Sequence, residues 1–308
     1  MDPKIVVTAN AFSKNEFLVN ELKKFTSNIV LNTSGRYTKE ELISALKDAD
    51  GAIVGLDKID ESVLKECKDL KIIAKYGVGL DNINLDDCKQ FNIKVGWTGG
   101  VNKTSVAEMA LGFMLMLIRN LYVTSNQLKD LTWNKAGGLQ LSGKTIGIIG
   151  VGHIGKELVR LLKPFNCRIL VNDIIDKSDY YLQNGLEEVA KEKIYRYADI
   201  ITIHTPLTDD TRDLITLKEM NLMKESTFII NTARGGIINE DDFKKALQDG
   251  IICGGAIDVY NVEPPVDREF LSLPNLVATP HVGGNAKEAV EAMGKSAVMH
   301  VKEFFKDI

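Results

Sequence analysis

Gly150-Val151-Gly152-His153-Ile154-Gly155 follows an apolar, strand-like run, Thr145 to Ile149, and opens a helix-like run, Lys156 to Phe165. A tight strand-to-helix turn needs residues that tolerate unusual backbone angles, and a pyrophosphate approaches the backbone only where no side chain blocks it. The free N–H groups and positive end of the following helix then attract phosphate. In a chain with 25 glycines such a run alone is equally a simple turn. The next strand-like run, Arg168 to Val171, decides between the two. It ends in Asn172-Asp173, placing a carboxylate about 20 residues past the glycines, the spacing at which an acid accepts hydrogen bonds from the adenosine ribose. Strand, turn, helix, strand and acid in this register predict a dinucleotide site. The charge of Asp173 opposes a 2′-phosphate, no Arg follows closely, and Lys177 is the nearest cation. NAD is therefore expected over NADP.

Outward from this turn, the chain alternates short apolar runs with amphipathic ones. Ile5 to Thr8, Asn28 to Leu31, Ala52 to Val54, Ile72 to Lys75 and Ile93 to Val95 read as strands of a first parallel sheet. Thr38 with Glu41 forms a capping-box helix start, Asp60 is a candidate cap, and Ser105 with Glu108 suggests another start. The last begins a long helix through Arg119, whose apolar breadth suggests burial between two bodies. A second alternating series runs from Thr145 through Ile200 to His204, Phe228 to Asn231, Cys253 to Ile257 and Leu276 to Ala278. Lys287 to Phe305 reads as a helix without a sheet of its own, so it is expected to return to the first unit. The fold class is α/β, with two doubly wound parallel sheets.

The 308 residues carry a net charge of −4 without long charged runs, so no electrostatic footprint for nucleic acid or an acidic membrane is visible. A small-molecule partner is expected. The N-terminus lacks the apolar core of a signal peptide, and the longest apolar stretch, Met109 to Ile118, is too short to span a bilayer. Cys67, Cys88, Cys167 and Cys253 show no metal or redox spacing. A cytoplasmic protein without a metal is the expectation.

Three side chains follow strands of the second series. Arg234 lies in Asn231-Thr232-Ala233-Arg234-Gly235-Gly236, Glu263 precedes Pro264-Pro265, and His281 stands between Pro280 and Val282-Gly283-Gly284. Singly, each is equally a surface Arg in a turn, a solvated loop acid or a loop His. Together they lie beyond the carboxyl ends of strands, where open α/β sheets bind ligands. An Arg holds a carboxylate, a His exchanges a hydroxyl proton near neutral pH, and a Glu orients and stabilises the imidazolium. That combination suits hydride transfer between a 2-hydroxy acid and a nicotinamide. His300, on the terminal helix, reads as a surface or interface residue.

The sequence resembles the D-isomer-specific 2-hydroxyacid dehydrogenases over nearly its whole length. The resemblance is carried by Tyr76-Gly77-Val78-Gly79-Leu80-Asp81-Asn82, Ser105-Val106-Ala107-Glu108, Gly150 to Gly155, His204-Thr205-Pro206-Leu207, Asn231 to Gly236, Asp258-Val259 with Glu263-Pro264-Pro265, and Thr279 to Gly284. It implies a Rossmann NAD-binding domain, 99–285, inserted into a flavodoxin-like substrate domain made from 1–98 and 286–308. It implies Arg234 as the substrate-carboxylate ligand, His281 as acid/base and Glu263 as its partner. Cofactor contacts would be Gly150, Gly152, His153, Ile154 and Gly155 at the pyrophosphate and Asp173 at the ribose. His204, Thr205, Pro206, Thr232, Ala233, Arg234, Asp258, His281, Gly283 and Gly284 would line the nicotinamide half. Lys75, Tyr76, Gly77, Val78 and Gly79 would face the substrate, with backbone N–H groups of 77–79 on its carboxylate, and a homodimer would form around 102–143.

Some residues depart from the family pattern. His153 replaces a common Arg in the glycine turn, and Gly99 replaces a common Pro. Lys75-Tyr76 stands where phosphoglycerate enzymes often carry an Arg for the substrate phosphate; Lys can still serve, whereas Tyr76 is equally a packing residue or a sign of another acyl group. Feedback through a serine-binding regulatory domain, as in longer phosphoglycerate enzymes, is not expected. The leading substrate expectation is 3-phosphoglycerate with 3-phosphohydroxypyruvate, which would place the enzyme in serine biosynthesis. Reduction of glyoxylate, hydroxypyruvate or another 2-keto acid is the enzyme alternative, and an NAD(H)-sensing binding protein is the alternative of another class.

Overall fold

The computed structural model describes residues 2–306. Met1, Asp307 and Ile308, which the 1–98 and 286–308 spans include, lie outside the described residues. The chain divides into two compact units, one running to Asn102 and resuming at Ala286, the other Lys103–Asn285.

The first unit is built on a five-stranded parallel sheet of β1 (Ile5–Val7), β2 (Ile29–Leu31), β3 (Gly51–Val54), β4 (Ile72–Lys75) and β5 (Lys94–Gly96), in the order β2-β1-β3-β4-β5. This is the doubly wound, flavodoxin-like order. Strands covered on both faces need continuous apolar runs, which is why β1, β3 and β4 are buried at every position. The helix Lys39–Leu46 starts at the capping box read from the sequence, with Thr38 and Glu41 each satisfying the other's backbone N–H. Asp60 caps the helix Glu61–Leu64 through the N–H of Ser62. The helix Lys287–Lys306 belongs to this unit: Ala297, Val298 and Val301 share a core with Ile5, Val7, Phe12 and Leu18. It lies so close to the helix Glu16–Lys23 that a Cβ on Gly294 would stand 2.3 Å from Leu18 Cδ1. His300 is a contact within this unit, its Nε2 2.8 Å from Thr98 Oγ1.

The second unit holds a seven-stranded parallel sheet of β6 (Thr145–Ile149), β7 (Arg168–Asn172), β8 (Glu187–Glu188), β9 (Ile200–Ile203), β10 (Phe228–Asn231), β11 (Gly254–Ile257) and β12 (Leu276–Ala278), ordered β12-β11-β10-β9-β6-β7-β8. The strand order reverses between β6 and β9, and such a reversal opens the crevice in which α/β sheets bind ligands. The short exposed β8 has no apolar pattern and was not expected. The long helix, Lys103–Ile118, places Ala107, Ala110, Phe113 and Met114 in one core cluster with Ile148, Leu158 and Ile230 of this unit. Ser105 lies inside the helix rather than at its cap, and its hydroxyl donates to Gly283 O at 2.5 Å. Among the described residues no single helix is long and apolar enough to cross a membrane.

Candidate active site

The glycine turn sits at the carboxyl end of β6, beside the end of β9. Gly150 adopts φ +93°, and a Cβ there would lie 2.6 Å from His204 O and 2.9 Å from Thr205 Cγ2. A Cβ on Gly155 would stand 2.3 Å from Gly150 O, so the helix His153–Leu162 packs against the strand only because residue 155 has no side chain. Gly152, by contrast, has open space around its missing Cβ, and the helix it begins has no side-chain cap. Its first N–H groups, at His153 and Ile154, are at an uncapped helix start, the kind of position that attracts phosphate. The turn therefore combines two glycines forced by packing with one that keeps a backbone surface clear.

Asp173 closes this end of the site. Its Oδ2 accepts the Val151 N–H at 2.7 Å and lies 2.5 Å from Lys177 Nζ, while Oδ1 accepts the Ile175 N–H at 2.9 Å. Partial burial works to raise its pKa, but the Lys177 contact and the two N–H groups outweigh it and hold the carboxyl below its ordinary range. Toward the strand reversal, Thr205 Oγ1, Thr232 Oγ1 and His204 Nδ1 are buried without a hydrogen-bond partner. Buried polar atoms left orphaned are costly, and here they gather beside β6, β9 and β10, where a ligand rich in amide and hydroxyl groups would satisfy them. These features fit a dinucleotide. His204 Nε2 lies 3.0 Å from Thr202 Oγ1, and its burial pushes the imidazole down to about 4, so it is neutral at physiological pH.

Beyond β10, β11 and β12 three loops interlock. Asn231 is buried and folds the first of them: its Oδ1 accepts the Ala233 N–H and its Nδ2 donates to Arg234 O. Arg234 Nη1 donates to Ala233 O at 2.7 Å. Gly235 is required by the second loop, because a Cβ would lie 2.0 Å from Tyr260 O. The Tyr260 N–H donates to Glu263 Oε1 at 3.2 Å, and its hydroxyl donates to Thr279 O at 2.9 Å. Glu263 grips His281 Nδ1 with Oε2 at 2.8 Å and Oε1 at 3.0 Å, which leaves Nε2 as the ring's second functional atom. His281 adopts φ +53°, a left-handed conformation uncommon for a residue with a side chain. The buried Asp258 holds it there: Oδ1 accepts Thr279 Oγ1 at 2.6 Å and the Val282 N–H at 2.8 Å, and Oδ2 accepts the Gly283 N–H at 2.7 Å. A Cβ on Gly283 would meet that same Oδ2 at 2.9 Å.

Arg234, Glu263, His281 and Asp258 thus lie on adjoining loops at one sheet edge, with the glycine turn, Asp173, Thr205, Pro206, Thr232, Ala233, Gly283 and Gly284 in the same unit. The structure gives Asp258 a task that sequence did not suggest, since three of its roughly four acceptor positions tie down the histidine loop. Tyr260 and Asn231 as loop organisers were likewise not foreseen. Their partners are mostly backbone atoms, which leave no residue-type signal.

Lys75, Tyr76, Gly77, Val78 and Gly79 belong to the first unit. Lys75 is only 4 % exposed, and its Nζ donates to Gly55 O and Asn82 Oδ1, both at 2.6 Å. Tyr76 packs edge-on against Phe12 with ring centroids 5.5 Å apart, which is a packing role. Gly77 has φ +140°, and Val78 O accepts the Trp97 Nε1–H at 2.7 Å.

Residues 111–283 match the family described as "D-isomer specific 2-hydroxyacid dehydrogenase, NAD binding domain". The hydroxypyruvate reductase of Thermotoga maritima is 36% identical over 282 residues, covering 90% of each chain. The D-3-phosphoglycerate dehydrogenase of Methanocaldococcus jannaschii is also 36% identical, over 87% of this chain, which spans only 52% of that longer protein. The NAD⁺-bound 3-phosphoglycerate dehydrogenase of Entamoeba histolytica superposes with a TM-score of 0.81 at 29% identity, covering all of this chain and 96% of that one. The chain belongs to the D-isomer-specific 2-hydroxyacid dehydrogenase family. It is an NAD-dependent oxidoreductase acting on the CH–OH group of a D-2-hydroxy acid.

Proposed function

We propose that this enzyme interconverts a small, unphosphorylated 2-keto acid of the hydroxypyruvate or glyoxylate type with its D-2-hydroxy acid. The observation that carries the chemistry is the His281–Glu263 pair, 2.8 Å apart on loops at the ligand-binding edge. His281 acts at Nε2, taking the substrate hydroxyl proton as the hydride leaves the same carbon, and returning it in reduction. Glu263, on Nδ1, offsets the charge that the imidazole gains. Arg234 pairs with the substrate carboxylate, and Asp258 keeps the His281 loop in place. Bound NAD supplies the hydride acceptor or donor; the glycine turn, Asp173, Thr205 and Thr232 are the residues that hold it. Residues 99–285 serve as the NAD-binding domain, and 1–98 with 286–308, through the 76–79 loop, as the substrate-binding domain.

Lys75 bears on the acyl group. A buried ammonium already donating to Gly55 O and Asn82 Oδ1 is poorly disposed to hold a substrate phosphate. The Thermotoga hydroxypyruvate reductase, matched over 90% of both chains, supports the same choice. A second reading, 3-phosphoglycerate oxidation in serine synthesis, is favoured by the 36% identity with the M. jannaschii phosphoglycerate dehydrogenase. Rates followed by NADH absorbance across glyoxylate, hydroxypyruvate, pyruvate and phosphohydroxypyruvate separate them. Preference for the phosphorylated acid overturns the first reading, and silence throughout overturns both.

A homodimer completes the proposal. Leu121, Leu128, Leu131, Trp133 and Leu139 are exposed within 102–143, Leu131 by 91% and Trp133 by 78%, and the helix Leu121–Lys129 buries none of its residues. Such a concentration of apolar surface marks an interface. A cytoplasmic location is supported by four free cysteines, of which Cys67 and Cys88 are pushed by burial up to about 11.

A further inference from the structure

We infer that Lys177 sets the strictness of cofactor choice, partly cancelling the charge of Asp173 and so letting NADPH bind alongside NADH. The inference rests on the reading of Asp173 as the ribose contact. A bare carboxylate at that position rejects a 2′-phosphate by like-charge repulsion. Here the carboxylate is not bare. Lys177 Nζ stands 2.5 Å from Oδ2, and both side chains are largely enclosed, at 15% and 9% exposure, so solvent screens the pair weakly.

A carboxylate offers about four acceptor positions. Val151 N–H and Lys177 occupy Oδ2, and Ile175 N–H occupies one position of Oδ1. One position remains, which suffices for a single ribose hydroxyl but not for both members of the diol. Full engagement of the diol requires Lys177 to yield its place on Oδ2. A hydroxyl accepted at the open position of Oδ1 stands within about 7 Å of the Lys177 ammonium, across the same carboxylate. A phosphate ester on that hydroxyl would therefore meet a cation as well as the acid. Lys177 is tethered four residues from Asp173, so it stays beside that carboxylate.

The test is equilibrium titration of NADH and NADPH by nucleotide fluorescence, with the full chain and four forms: parent, Lys177→Gln, Lys177→Arg and Asp173→Asn. Lys177→Gln is expected to weaken NADPH about tenfold while NADH changes less than about twofold, widening the ratio; Lys177→Arg keeps the parent ratio within about threefold. Asp173→Asn should weaken NADH and narrow the ratio. If Asp173→Asn behaves so and Lys177→Gln moves both affinities together or neither, the Lys177 inference fails alone. If Asp173→Asn leaves NADH unchanged, the ribose reading fails and takes the inference with it.

Discussion

Glu263 meets His281 Nδ1 with both carboxylate oxygens, at 2.8 and 3.0 Å, and so fixes which ring nitrogen is left for chemistry. Glu263→Gln retains the shape but removes the charge that stabilises imidazolium. We expect kcat to fall on the order of 100-fold with NADH affinity nearly unchanged. Steady-state kinetics beside NADH titration checks this, and a parallel loss of NADH binding would contradict it.

His281→Asn removes the proton carrier without touching the glycine turn. Turnover is expected to fall by on the order of 1,000-fold or more, with NADH affinity within about threefold of the parent. Retention of most activity would reject His281 as acid/base.

Asp258→Asn places an amide N–H₂ where Thr279 Oγ1, Val282 N–H or Gly283 N–H now donates. Two donors facing each other in a buried site cost about 1–3 kcal/mol. Urea unfolding should show that loss, together with a kcat decrease of about tenfold or more from the loosened His281 loop. A destabilised variant with parental kcat would show that the loop needs no such tether.

His204 links stability to pH. Its folded value, about 4, lies below the ordinary 6.5, so between them the unfolded chain binds a proton that the folded one refuses. Its contribution is complete above pH 6.5 and is lost as pH falls toward 4, amounting to about 2–3 kcal/mol at the lower end. His204→Gln should flatten the urea stability profile across that window relative to the parent. Identical profiles for the two proteins would remove His204 as the cause.

Leu131→Glu with Trp133→Glu puts two charges into the exposed apolar run after the helix Leu121–Lys129. If that run is the subunit interface, light scattering will show a dimer for the parent and a monomer for the variant. A parent that is monomeric at all concentrations would overturn the assembly.

What the sequence made legible was whatever packing or backbone geometry imposes on residue type. Thr145–Ile149, Phe228–Asn231 and Leu276–Ala278 were bounded correctly because both-face burial demands unbroken apolar runs. The glycine turn was legible because Gly150 and Gly155 face backbone oxygens that exclude a side chain. Ser105 misled, since a capping pattern inside an apolar helix looks the same whether the hydroxyl caps or reaches Gly283 O. The tethers made by Asp258, Tyr260 and Asn231 were hidden because most of them end on backbone atoms, which carry no residue-type signal. The resemblance implies Lys75 as a substrate-facing residue, and its bond to Gly55 O could not be read from the sequence.

The helix Lys287–Lys306 supplies Ala297, Val298 and Val301 to the core that contains Ile5, Val7 and Leu18. During synthesis that helix emerges only after the whole Lys103–Asn285 unit. The earliest-made sheet must therefore wait, one apolar face uncovered, while the later-made one has everything it needs to fold. The nascent chain is thus most exposed to aggregation and to chaperones at its oldest residues until that helix has emerged.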